Sequence, residues 1–123
     1  MSHVEVVFFM ESDGAVPVID WLRALSTKVQ CKLLARIELL AEKGFELRRP
    51  HADILRDGIH ELRTRHQRVQ YRLLYFFYGR TVVLAHGLTK ERIVSPTQIA
   101  VAASRRKRFY DCPERHTYRE PSG

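Results

Sequence analysis

The 123 residues are enough for one domain with a single modest core. With 45% hydrophobic and 28% charged residues, the chain is too apolar to remain disordered. Its formal charge of +7 favours a polyanionic partner, either nucleic acid or an acidic protein. No stretch approaches the roughly 20 apolar residues of a membrane span, and no basic, apolar and small-residue leader opens the chain. The two cysteines, Cys31 and Cys112, have neither disulfide-scaffold nor metal-ligand spacing. A reduced, cytoplasmic protein is expected, with no membrane partner.

His3 to Phe9 is a β-branched and aromatic run that suits a strand, broken by Glu11-Ser12-Asp13-Gly14. Pro17 fits the first turn of a helix, in which Val18, Trp21, Leu22 and Leu25 recur at helical spacing. Ser26 is placed to cap a second helix with an apolar stripe of Leu33, Leu34, Ile37, Leu40 and Ala41, and Gly44 to end it. Phe45 to Gly58 reads as a connecting segment. Three strands follow, Ile59 to Arg65, Val69 to Tyr78 and Thr81 to Leu88, separated by the short breaks His66-Gln67-Arg68 and Gly79-Arg80. Ser95-Pro96 opens a last helix carrying Ile99, Ala102 and Ala103, which finishes in Arg105-Arg106-Lys107-Arg108. The order is strand, two helices, three strands, helix. It predicts an α+β fold whose helices pack on an antiparallel sheet, with a domain over residues 1–109 and a flexible tail over residues 110–123.

Strand alternation places Glu61, Arg63 and Arg65 on one face. On the next strand Arg72, Leu74 and Phe76 share a face, and Tyr71, Leu73, Tyr75 and Phe77 share the other. The helical hairpin covers one face, and an arginine is costly to bury unpaired. Arg72 is therefore expected on an open face near Arg63, with Lys90 just beyond the following strand. Three converging cations would make a phosphate site. The same residues read equally well as a solvated face paired with Glu61 or Glu91, and Glu61 suits a salt bridge to Arg63 or Arg72 better than a catalytic role. His66 and His86 have the right intrinsic pKa for proton transfer but are as easily structural or exposed. His60 faces away from Arg63. Phe76 is the one strand aromatic that an open face would offer to a base. No zinc motif, carboxylate cluster or glycine-rich phosphate loop is present, so no metal or cofactor is expected.

Glu61-Leu62-Arg63, Tyr71-Arg72-Leu73-Leu74-Tyr75-Phe76-Phe77, His86-Gly87-Leu88-Thr89-Lys90 and Ser95-Pro96, in that order and spacing, resemble the phage-derived, HigB-like branch of the RelE toxin superfamily. Asp13-Gly14, Pro17-Val18 and the helical hairpin are also similar to that branch. The resemblance implies a RelE-like microbial ribonuclease fold and a toxin of a type II toxin–antitoxin system that cleaves mRNA in the ribosomal A site. The implied partners are mRNA, the ribosome and a cognate helix-turn-helix antitoxin. By position Arg63, Arg72 and Lys90 match the family's basic active-site residues, with Arg65 assisting. Arg68, Arg92 and Arg105 are further candidate RNA contacts. The implied chemistry is metal-independent attack of the RNA 2′-hydroxyl on its own phosphate, with His86 or His66 moving the proton. The sequence departs from the pattern at Leu88, where phenylalanine is usual, and at Glu91, where a second lysine is common. Thr97, Gln98 and Ile99 occupy the region where many superfamily members place a tyrosine or histidine base. Two other readings fit these departures: a non-catalytic RNA- or ribosome-binding module, or an inactive remnant that docks an antitoxin.

Overall fold

The computed structural model describes residues 3–89 and 92–120. Strand β1 (Glu5–Phe9) leads into α1 (Pro17–Arg23) and α2 (Thr27–Lys43). Then come β2 (Ala52–Ile54), β3 (His60–His66), β4 (Val69–Tyr78) and β5 (Thr81–Thr89), followed by α3 (Pro96–Asp111) and β6 (Thr117–Tyr118). The six strands form one sheet in the order β2-β3-β4-β5-β1-β6. Among the described residues only β1 and β5 run parallel, because the helical hairpin returns the chain across the sheet before the three-strand meander begins. The fold is α+β and consistent with a RelE-like fold. Among the described residues, no helix is long and apolar enough to cross a membrane.

Local chemistry explains the boundaries. Pro17 and Pro96 occupy first helical turns, where a missing N–H is harmless. The hydroxyls of Ser26 and Ser95 accept hydrogen bonds from the Val29 and Gln98 amides, capping α2 and α3. Gly44 ends α2. Gln67 and Arg68 both take positive φ in the two-residue turn joining β3 to β4, the geometry that matches strand twist.

The sheet buries both faces. On one, α1 and α2 lay Val18, Leu22, Leu33, Ile37 and Leu40 over Leu62, Leu73, Tyr75 and Leu84. On the other, α3 lays Ile99, Ala102 and Phe109 over Leu74, Phe76, Val83 and Leu88. The reading of a single covered face is thus corrected. Phe76 is fully buried against Phe109, so it has no surface to offer a base.

Three other expectations change. Leu34, assigned to the apolar stripe of α2, is 47% exposed, and Val29 is buried in its stead. The connecting segment holds β2, which pairs with β3 through Asp53↔Glu61. The expected flexible tail is built into the fold over residues 110–118: α3 runs on to Asp111, a 3-10 turn covers Pro113–His116, and β6 extends the sheet beside β1. His116 anchors that segment. Its ring stacks on Phe9, with 5.1 Å between centroids, and its Nδ1 lies 2.7 Å from the Met10 carbonyl.

Candidate active site

Arg63 and Arg72 are direct partners across the β3–β4 ladder and project from the same face. Two like charges in that position repel, and the structure places a carboxylate between them. Glu61, 3% exposed and two residues before Arg63, gives one oxygen to Arg72 Nη1 and the other to Arg63 Nη2 at 3.3 Å. Asp53 on β2 adds a second carboxylate 3.2 Å from Arg63 Nη2, and is itself held by Arg49 Nε at 3.0 Å. The Arg49 hydrogen bond keeps the Asp53 carboxyl below the usual range, and the Ile54 amide and the charges of Arg49 and Arg63 act in the same sense.

Arg72 therefore lies on the expected face but is not open. It is 9% exposed, and its Nη2 donates to the Arg92 carbonyl at 2.6 Å. The segment before α3 closes over this end of the face, and burial is tolerated because Glu61 supplies the counter-charge. Arg63 keeps 31% of its side chain exposed, and its Nε lacks a hydrogen-bond partner among the described residues. Lys90, the third expected cation, and Glu91 lie outside the described residues.

The histidines separate. An irregularity in the β4–β5 ladder at Leu74/Tyr75 leaves Ala85 unpaired and sets His86 opposite Leu74, on the same face as Arg72. Its Nε2 lies 2.5 Å from Gln98 Oε1, and its Nδ1 lies 3.2 Å from Arg105 Nη1. Arginine can only donate, so Nδ1 accepts and the proton resides on Nε2. Burial lowers the His86 pKa, with the Gln98 hydrogen bond opposing and the Arg105 charge assisting. A neutral ring engaged at both nitrogens is a structural group in this state. His66 alternates with Arg63 and Arg65 and so belongs to the hairpin face, which removes it from the Arg63 side of the sheet. His60 also faces the helical hairpin, stacked on Tyr75, as its position implied.

The expected RNA contacts divide likewise. Arg105 donates to the Ala85 carbonyl and pairs with Glu11 at 3.4 Å, so it fastens α3 to the sheet. Arg65 lines a cleft of about 550 Å³ against Lys32, Arg36 and Leu39 of α2. Arg68 is exposed at the hairpin tip, and Arg92 is exposed beside Arg72.

Two contributors escaped sequence reading. Asp53 sat in what looked like a loop, and Gln98 was noted only as standing where a base was expected. On the opposite face Trp21 packs against the core, its indole lying against Gly87 and donating to Thr89 Oγ1 at 3.0 Å. A Cβ at Gly87 would sit 2.2 Å from Trp21 Cδ2, so only glycine lets α1 cross β5 there.

No curated protein matches the chain. Residues 20–108, which span both arginines and most of α3, match the family model described as phage derived protein Gp49-like (DUF891). The chain belongs to this Gp49-like family, which is associated with toxin–antitoxin toxins of the RelE/HigB type.

Proposed function

We propose that the protein is the toxin of a type II toxin–antitoxin system, an endoribonuclease that cleaves mRNA on the ribosome and is neutralised by a helix-turn-helix antitoxin. The observation that carries this reading is the Arg63–Glu61–Arg72 arrangement within a Gp49-like chain: a pre-oriented guanidinium on the partly open end of a sheet face. In the proposed reaction the RNA 2′-oxygen attacks the adjacent phosphorus, and the bond to the departing 5′-oxygen breaks. The products are a 2′,3′-cyclic phosphate and a 5′-hydroxyl. Arg63, with Lys90 in the role its motif position implies, stabilises the charge developing on the phosphate oxygens. His86 is engaged at both nitrogens, so proton transfer in this proposal falls to groups of the ribosome or to a rearranged His86.

The test is induced expression of the parent and of Arg63→Ala, with growth and mRNA ends followed together. Growth arrest with discrete new mRNA ends in the parent, reduced at least tenfold in the variant, is the expected result. Equal cutting by both removes the role given to Arg63, and no cutting by either removes the ribonuclease assignment.

A second reading draws on the mutual neutralisation of Arg72 and Glu61, which suits a non-catalytic RNA- or ribosome-binding module, or a remnant that docks an antitoxin, as well as an enzyme. Translation arrest without new mRNA ends would select the binding module. Stable co-purification with an antitoxin, without toxicity when expressed alone, would select the remnant.

A further inference from the structure

Arg63 and Arg72 are partners in the ladder but occupy different surroundings. Arg72 is 9% exposed, with one nitrogen on the buried Glu61 carboxylate and another on the Arg92 carbonyl. Arg63 reaches both of its carboxylates through the single atom Nη2, at 3.2 and 3.3 Å, and keeps 31% of its side chain exposed, while its buried Nε has no hydrogen-bond partner among the described residues.

We propose that the two arginines have separate tasks. Arg63 is the group that meets an RNA phosphate. Arg72 is a positioning residue, which fixes Arg63 through Glu61 and fixes residues 92–95, ahead of α3, through the Arg92 carbonyl. The first half rests on the RNA-cleaving reading, and the second half does not.

Charge and burial both point this way. To touch a phosphate, Arg72 would have to leave Glu61, which is 3% exposed, and a carboxylate so buried is strongly disfavoured without its partner. Within the pair the Arg72 charge is offset, so it adds little to the attraction of an incoming anion. Its anchoring role has a clear target. The segment from Arg92 leads to Ser95, whose hydroxyl caps α3, and three residues later Gln98 holds His86. Arg72 therefore fixes the entry to α3 on one side and, through the carboxylate it shares with Arg63, the phosphate-facing guanidinium on the other.

The experiment uses the full chain and a single-stranded RNA oligonucleotide with 2′-O-methyl riboses, which binds without being cut. Affinity is measured across a salt series for the parent, for Arg63→Gln, and for the double variant Glu61→Gln with Arg72→Gln. The double variant removes both members of the pair, so no orphan charge is left to unfold the chain. Amide hydrogen exchange over residues 92–95 is followed in the same proteins. Loss of one phosphate contact on a single strand lowers the slope of log K against log salt by roughly 0.7. That loss is expected for Arg63→Gln; the double variant keeps the Arg63 charge but no longer holds it through Glu61, so it should keep the slope and bind more weakly at every salt concentration. Exchange over residues 92–95 is expected to accelerate at least tenfold in the double variant and to stay unchanged in Arg63→Gln. A slope that falls as much in the double variant as in Arg63→Gln would show Arg72 itself on a phosphate and overturn the division. Unchanged exchange over residues 92–95 would overturn the anchoring. If the parent binds no RNA, the Arg63 half fails together with the RNA-cleaving reading, and the exchange arm still decides the Arg72 half.

Discussion

The two faces of the sheet are built from alternate residues of the same strands and yet differ in kind. Along β4, Tyr71, Leu73 and Tyr75 enter an apolar layer under α1 and α2 that is continuous from end to end. The intervening residues change character along the strand, from Arg72, held by ions, to Leu74 and Phe76, held by α3. The lesson is that α3 covers only part of its face, and where the apolar cover stops, a network of carboxylates and guanidiniums completes it. The proposed function and the stability of the fold meet at that boundary.

The largest expected effect tests whether the ionic end is structural. Glu61→Ala leaves Arg72 buried beside an empty site and should cost about 3–5 kcal/mol, the usual penalty for breaking a buried pair. Urea unfolding measures it; a cost below about 1 kcal/mol, typical of exposed ion pairs, would mean this end is merely solvated surface. On the apolar face Leu73→Ala should cost roughly 2–5 kcal/mol by cavity formation, without altering the salt dependence of RNA binding. Next is Gly87→Ala, which drives a methyl into the Trp21 indole and should cost about 1–3 kcal/mol by overpacking. A change in Trp21 fluorescence should accompany it, and an unaltered emission spectrum with full stability would contradict the close approach.

The smallest effect is with pH. Burial lowers the pKa of His86 and of His60 in the folded chain below the ordinary 6.5, so the unfolded chain binds protons first as pH falls. Their contribution to stability is present above about pH 6.5 and is lost as pH falls toward the lowered values. Denaturant midpoints should therefore decline from pH 7 to 5, and His86→Gln should flatten that decline. A midpoint that rises on acidification would reverse the sign of the argument.

Much of this was legible in the residues. Periodicity and caps gave both ends of α2 and the start of α3, and alternation put Arg63 and Arg72 on one face. What the residues could not show was long-range cover. Nothing local in Phe76 says that Phe109 will lie on it, so the second face read as open. The Ala85 irregularity was equally invisible, although it alone turns His86 toward Gln98. Asp53 was missed because β2 has only three residues, too few for a period to register. The C-terminal segment was read as loose because its anchors are pairwise contacts of His116 with Phe9 and Met10 rather than an apolar pattern.

The central claim is that Arg63 stands at the scissile phosphate of a metal-independent RNA cleavage. Its most direct test is to incubate programmed ribosomes with purified protein and determine the chemistry of any new RNA ends. The expected result is 2′,3′-cyclic phosphate and 5′-hydroxyl ends from the parent, formed at least a hundredfold more slowly by Arg63→Ala. Ends of another chemistry, or an Arg63→Ala variant that cuts at the parent's rate, would contradict it.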